Sequence, residues 1–424
     1  MNQTSEAHSL LQDIEAWHAN EASQAISSEL LRRDLFDKMS EIFAQQRQNL
    51  HTCAIPPGIK CLDGLLGIGE HLSSLIFSHV LLEHHLNAHL LDSVNLLHGD
   101  ESKHVSPSFF EKARSSFRKT LIDMYNTFPS VVPVVGGFFG PVPGGMIASI
   151  GRGYTDLTAS MISCALSCKE LRIYKEVPIP RALYSSWNQV DGIFTSDPRK
   201  VPKAKLLAEM TPMEVQELTT FGSEVVHSLV ISQTSAARVP IRILNTFKPE
   251  LSGTVIPPRK TDFLQLDGKE DRKCATAATV LDDITLLTVR SSGPRFTFGI
   301  LSDISSTLKR CEVASVQQAD RIDLVISSAD SELEGIVSDL KPLCHLTVTR
   351  DLSLVTLVSA NIQSIYGIEK RMDTALKDAG VNVLLTGYAR QNSMSCVVAK
   401  GDAIKGVNAI HGTCVSGPPC LTET

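Results

Sequence analysis

No two cysteines of this sequence stand in a C-x-x-C pair: the ten are scattered through 424 residues, with Cys164 and Cys168 the closest two. Zinc ribbons and dithiol redox motifs need tighter spacing, so the cysteines are expected to be buried thiols of a reducing compartment rather than zinc ligands or disulfides. Acidic clusters beside the thirteen histidines are missing too, and no metal site built from protein ligands is expected. Positive charge is not in excess. Forty Lys and Arg against 46 Asp and Glu leave a net charge of −6, without the basic footprint that nucleic acid requires. No apolar run approaches the roughly 20 residues of a membrane span, and the opening MNQTSEAHSLLQDIEAWH does not read as a signal peptide. The expectation is a cytoplasmic protein with neither nucleic acid nor membrane as partner. Its hydrophobic content of 43% and charged content of 20% are those of an ordinary globular enzyme, and its length suits two or three domains.

What is present centres on Val131–Ser160, VVPVVGGFFGPVPGGMIASIGRGYTDLTAS. A Val-rich run that suits a buried strand breaks at Gly136-Gly137. Gly144-Gly145 and Gly151-Arg152-Gly153 follow, and a helical pattern starts at Thr155-Asp156 with Leu157, Met161, Ile162 and Ala165. Strand, glycine loop and helix N-terminus together suit an anion, because backbone N–H groups approach it closely and the helix dipole favours it. A tight strand-to-helix connection is the plainer alternative. Arg152 and Asp156 lie four residues apart across this junction. One offers a fork for a carboxylate and the other an acceptor for an amino group, a pairing that grips an amino acid by both charged ends. The competing reading makes Asp156 a helix cap and Arg152 a solvated charge.

Residues 1 to about 50 read as helix, followed by Gly67–Ser73 with an apolar helix Leu75–Leu86 behind it. Strands at Ala88–Asp92 and Leu171–Val177 and helices at Pro107–Tyr125 and Asp156–Leu166 alternate, which points to an α/β domain with a largely parallel sheet. Pro178–Val190 has two prolines and no periodicity. A helix at Pro212–Leu218 and a strand at Val239–Leu244 precede the polar stretch 249–273, a domain boundary. Beyond about residue 275 the order strand, helix, strand, strand, helix occurs twice. It starts at Ile284–Val289, Ile300–Arg310 and Val313–Val316, and starts again at Leu354–Val358, Ile368–Ala379 and Val381–Leu385. Both copies read as split-βαβ units.

The runs GFFGPVPGG, GRGYTDLTA, YKEV, DGIFTSDPRKVPKAK, FGSEVVH and PIRILNTFKPELSGTVI, in this order, resemble aspartate kinase of the fungal type. The resemblance implies a three-layer α/β/α amino-acid-kinase domain over 1–258, then two ferredoxin-like ACT domains over 275–345 and 350–415. It implies transfer of the γ-phosphoryl group of MgATP to the side-chain carboxylate of L-aspartate, with no protein-bound cofactor, and a homo-oligomer joined through the ACT domains. Glu70 in GEHLS matches the glutamate on the substrate amino group, and Arg152 the arginine on its carboxylate, with Thr155 and Asp156 in the same pocket. Lys175, Glu176, Phe194, Asp197 and Arg199 fall on the nucleotide side, Arg199 nearest the phosphates; Arg152, Asp156 and Arg199 are the catalytic candidates. An amino-acid effector, threonine by the resemblance, is expected near Asn361, Gly367 and Asn382.

Three departures accompany the matches. The family's K-F-G-G-T-S loop, whose lysine lies against the phosphates, does not occur in this sequence; on that ground the kinase domain is expected to lack its first strand and this polypeptide to have little or no aspartate kinase activity. Residues 178–190 interrupt the passage from YKEV to DGIF as an insertion. Gly136 stands where a threonine is usual, which removes a hydroxyl near the substrate. A regulatory paralogue without catalysis, and an aspartate kinase of a fungal metabolite cluster, are the alternatives these departures keep open.

Overall fold

The computed structural model describes residues 2–52, 58–94, 96–97, 105–151, 153–175, 191–223, 225–259, 275–290, 312–317, 321–327, 330–342 and 344–418. The expected helix Ile300–Arg310 and the stretch 178–190 lie outside them. The chain divides into two compact units, Met1–Leu171 with Leu229–Val239, and Arg172–Ser228 with Pro240–Thr424.

In the first unit, α1 (Asn2–Ala25), α2 (Glu29–Thr52) and α3 (Ile59–Glu83) share one core, in which Leu11, Ala22, Leu35, Met39 and Phe43 meet Ile68, Leu72 and Leu75. By length and composition the Cys61–Glu83 stretch of α3 is apolar enough to cross a membrane, against the expectation that no run comes near this; Leu72 and Leu75 nonetheless pack in this core. The helix also starts well before the expected Leu75. Cys61 is disulfide-bonded, which corrects the expectation of thiols throughout. Strand β1 (Ala88–Leu91) is followed by α4 (Pro107–Thr127), whose sequence fixes both its start and its buried face. Ser106 caps it by accepting from Phe109 N, Pro107 takes the first helical position, and Phe109, Ala113, Phe117 and Leu121 recur every fourth residue as its buried stripe. Strand β2 (Val132–Val135) pairs parallel with β1, from Ala88 opposite Val132 to Leu91 opposite Val135. The short α5 (Met146–Ser149) and α6 (Tyr154–Ala165) complete the central stretch.

The second unit carries a three-stranded sheet in the order β3-β4-β5, made of β3 (Leu171–Lys175), β4 (Ile241–Asn245) and β5 (Thr254–Ile256). Between β3 and β4 come α7 (Pro212–Thr220), opened by a Thr211–Glu214 capping box, and α8 (Ser228–Ala237), which belongs almost wholly to the first unit. A six-stranded sheet follows, built from β6 (Ala277–Arg290), β7 (Glu312–Gln317), β8 (Arg321–Ser327), β9 (His345–Val358), β10 (Val383–Arg390) and β11 (Ser393–Ala399), in the order β10-β11-β9-β6-β8-β7. Its helices are α9 (Asp330–Leu340), α10 (Ile368–Asp378) and α11 (Ala403–Ile410).

The register of this sheet differs from two units in tandem. The first part of β6, Ala277 to Leu281, faces Val358 to Leu354; after a register shift its second part, Leu286 to Arg290, faces Thr349 to His345. Ala278 and Val280 accordingly pack with Val355, Leu357, Met372 and Val407, whereas Leu287 and Val289 pack with Ile322, Leu324, Leu333 and Ile336. One long strand thus serves both halves, and residues 277–281, inside the 275–345 span expected for the first ACT domain, supply a strand to the second half.

Candidate active site

Helix α3 carries Glu70 in its middle, half-buried, rather than in the loop that the glycines around it suggest. The hydroxyl of Thr155, at the start of α6, donates to Glu70 Oε1. Glu70 Oε2 is buried and has no described partner at hydrogen-bond distance and angle, although the Tyr154 phenol lies near this carboxylate and bonding to it contributes to the phenol's raised pKa. A carboxylate oxygen withdrawn from water without a donor is costly, which marks it as a place for a ligand's donor. Gly137 closes the other side. A Cβ there would stand 2.7 Å from Thr155 Oγ1 and 2.9 Å from Thr155 Cα and would also overlap Glu70 Oε2, so only glycine fits. The Thr158 hydroxyl binds the Gly137 carbonyl at 2.5 Å and ties α6 to the loop after β2. Burial, and after it the adjacent Glu70 carboxylate, pushes the Tyr154 phenol up to about 12, so it stays protonated in the working range.

Gly153, left-handed at φ 87°, is the residue that caps α6, and Asp156 lies half-buried in the first turn. Asp156 therefore does not take the capping position that the competing reading gave it. Arg152 lies outside the described residues. The hydroxyl expected to be lost at Gly136 has neighbours in its place: Ser93 Oγ donates to the carbonyls of Gly136 and Phe138 at 3.3 and 2.7 Å, and Ser74 Oγ would stand 3.4 Å from a Cβ at Gly136.

The nucleotide-side candidates belong to the second unit. Lys175 ends β3, its carbonyl accepting from Thr246 N at 3.2 Å; Glu176 lies outside the described residues. Phe194 bridges Leu206 in an antiparallel pair. Asp197 and Arg199 form a fork, with Arg199 Nε 2.9 Å from Oδ1 and Nη2 2.8 Å from Oδ2, while Arg199 N also donates to Oδ1 at 2.9 Å. Burial alone would raise the Asp197 carboxyl, but these bonds outweigh it and hold the group below the usual carboxylate range. The Arg199 side chain remains 59% exposed. Next to it Lys200 Nζ reaches Asp282 Oδ2 at 2.8 Å, and Asp282 Oδ1 accepts from Ser353 Oγ at 2.8 Å where β6 and β9 shift register. Thr195 Oγ1 meets His411 Nε2 at 2.8 Å. Burial lowers His411, Lys205 lowers it further, and the ring is neutral at pH 7.

Of the expected effector residues, Gly367 lines a cavity of about 610 Å³ and Asn382 a neighbouring one of about 410 Å³; Asp373 and Lys377 of α10 line both. Asn361 caps the 3-10 turn Ile362–Ser364 and lines neither. Sequence reasoning missed Tyr154, Asp373 and Lys377. Spacing offers a signal for the last two, which lie four apart on one face of α10. Among the described residues no group of three His, Cys, Asp or Glu is placed to hold a metal ion.

A model of the amino acid kinase family matches residues 5–179 and 182–245, and a model of the ACT domain matches residues 355–413. The aspartokinase of Candida albicans is 31% identical over 446 residues, covering 98% of this chain and 79% of that protein. The aspartokinase of Saccharomyces cerevisiae is 30% identical, covering 98% of this chain and 81% of that protein. Among solved structures, Escherichia coli aspartokinase III in complex with aspartate and ADP matches at a TM-score of 0.74 and 21% identity, covering 96% of this chain and 87% of that one, a likeness of fold.

Proposed function

The chain belongs to the aspartokinase family, and from that premise we propose that it transfers the γ-phosphoryl group of ATP to the side-chain carboxylate of L-aspartate, giving 4-phospho-L-aspartate, the first step of aspartate-family amino-acid synthesis. The observation that carries the reading is Glu70 Oε2, buried and without a donor among the described residues, on the carboxylate whose other oxygen Thr155 holds. An α-ammonium group supplies the missing donor, and Thr155 holds the other carboxylate oxygen in place. Arg152 takes the α-carboxylate, with Asp156 lining the same pocket. An ionised carboxylate is already a nucleophile, so the site needs no general base. Catalysis then consists of bringing two anions together and neutralising the charge of the group in flight. Lys175, Glu176, Phe194, Asp197 and Arg199 serve the nucleotide, with Arg199 on the phosphates, and magnesium arrives with ATP as part of the co-substrate.

An amino acid, threonine in this reading, acts as effector in the cavities that share Asp373 and Lys377, whose opposite charges suit its ammonium and carboxylate groups. The enzyme works in the cytoplasm as a homo-oligomer joined through its C-terminal sheet. The test is Glu70→Gln, assayed by coupled ADP release. The variant should raise the KM for aspartate by about tenfold or more, the loss of a charge-assisted bond, and leave the KM for ATP in place. An ATP constant that moves instead refutes this assignment of the pocket.

A further inference from the structure

We propose that Asp63 is a positioning residue that holds the glycine loop of the substrate side. Asp63 lies on α3 seven residues before Glu70, so the two carboxylates share one helix face two turns apart. It is only 2% exposed. Its oxygens are occupied by backbone donors of the loop: Met146 N reaches Oδ1 at 2.9 Å and Oδ2 at 3.2 Å, and Val142 N reaches Oδ2 at 3.2 Å. A carboxylate this deeply buried is tolerated when its lone pairs are taken up in this way.

These two N–H groups bracket the turn Pro143-Gly144-Gly145, in which both glycines have positive φ, 81° and 90°. Further bonds order the residues that follow Met146. The Met146 carbonyl accepts from Ile150 N at 3.0 Å and Gly151 N at 2.9 Å, Ser149 Oγ binds the Pro143 carbonyl at 2.7 Å, and Gly153 then caps α6 with Thr155 on Glu70. One rigid helix thus holds the segment from Met146 to Thr155 at both ends, by Asp63 at its start and by Glu70 at its finish.

The kinetic consequence rests on the aspartate kinase reading; the positioning itself does not. The experiment uses the full chain as Asp63→Ala and Asp63→Asn, with steady-state constants for both substrates and amide hydrogen exchange over 140–150. Asp63→Ala should lower kcat/KM for aspartate by up to about a hundredfold, as misplacing reacting groups by an ångström can, with the ATP KM nearly unmoved and faster exchange at Val142 and Met146. Asp63→Asn keeps a carbonyl acceptor and should recover much of both effects. Where the alanine variant does not fold, the asparagine variant carries the test, with a smaller shift of the same pattern expected. Aspartate and ATP constants that move together, or unchanged exchange at Val142 and Met146 in a folded variant, overturn the proposal. A wild-type chain without activity on aspartate counts against the aspartate kinase reading alone, and exchange then decides the role of Asp63.

Discussion

Gly136 and Gly137 stand side by side after β2, and a methyl group added to each should have opposite consequences. Neither has a positive φ, so the difference between them is steric rather than conformational. At Gly136 a Cβ meets Ser74 Oγ at 3.4 Å and Ser93 Oγ at 3.5 Å, ordinary van der Waals contacts. At Gly137 it stands 2.9 Å from Thr155 Cα, which is backbone and cannot rotate away, and it presses on Glu70 Oε2 as well. Relief requires moving the start of α6 or turning the Glu70 carboxylate, and both motions spoil the site that the ammonium group would fill. Overpacking of this kind costs about 1 to 3 kcal/mol. If it falls on the substrate side, kcat/KM for aspartate drops by about fivefold to 150-fold, at roughly 1.4 kcal/mol per factor of ten. Coupled ADP release with each substrate varied in turn measures it. Gly137→Ala should show this loss in the aspartate terms with the ATP KM nearly unchanged, and Gly136→Ala should stay within about twofold of wild type, as uncrowded substitutions do. Equal kinetics for the two variants, in either direction, would refute the steric argument and the placement of the substrate beside Gly137.

Arg152→Ala should cost about 1.5 to 3 kcal/mol in aspartate binding, the worth of a charge-assisted hydrogen bond, seen as a raised aspartate KM with the ATP KM in place. Threonine should bind the full chain in isothermal titration, and Lys377→Ala should weaken it by about tenfold or more if the ammonium of Lys377 meets the effector carboxylate; absence of heat at millimolar threonine would count against the site. Tyr154, with its phenol raised from 10.0 to about 12, keeps its proton in the folded state where the unfolded chain loses it. Fewer protons on the unfolded state mean that stability falls as pH rises through this window, from about pH 10 to 12. Thermal melts of Tyr154→Phe should lack that component of the decline, and parallel curves for the two proteins would contradict it.

The sequence shows α4 plainly because local signals agree there: a serine cap, a proline at the first position and apolar residues every fourth place. It hides α3 for an equally physical reason. Gly64, Gly67 and Gly69 lower helix propensity across the stretch and look like a loop, yet the helix is held by the buried Leu72 and Leu75. Gly67 is there for close approach, since a Cβ would stand 2.6 Å from Phe138 Cγ. The order of strands and helices beyond residue 275 follows from periodicity, but the division of β6 between two halves depends on pairing with residues 73 to 81 positions away, from Leu281 with Leu354 to Ala277 with Val358, and no local pattern encodes that.

For the site, the resemblance to aspartate kinase puts Glu70, Thr155 and Asp156 in one pocket and sets Glu70 on the substrate amino group, but the residues alone do not show why. Three contacts narrow it. Thr155 occupies one oxygen of Glu70, Gly137 leaves no room for a side chain beside the other, and that other oxygen is buried with no donor from a described residue. Asp63 on the same helix, by contrast, has both oxygens taken up by the N–H groups of Val142 and Met146. The contrast between these two carboxylates, one satisfied by the loop and one with an oxygen that no described residue binds, is chemical rather than positional. It depends on which donors the folded backbone delivers to each, and therefore becomes legible only in three dimensions.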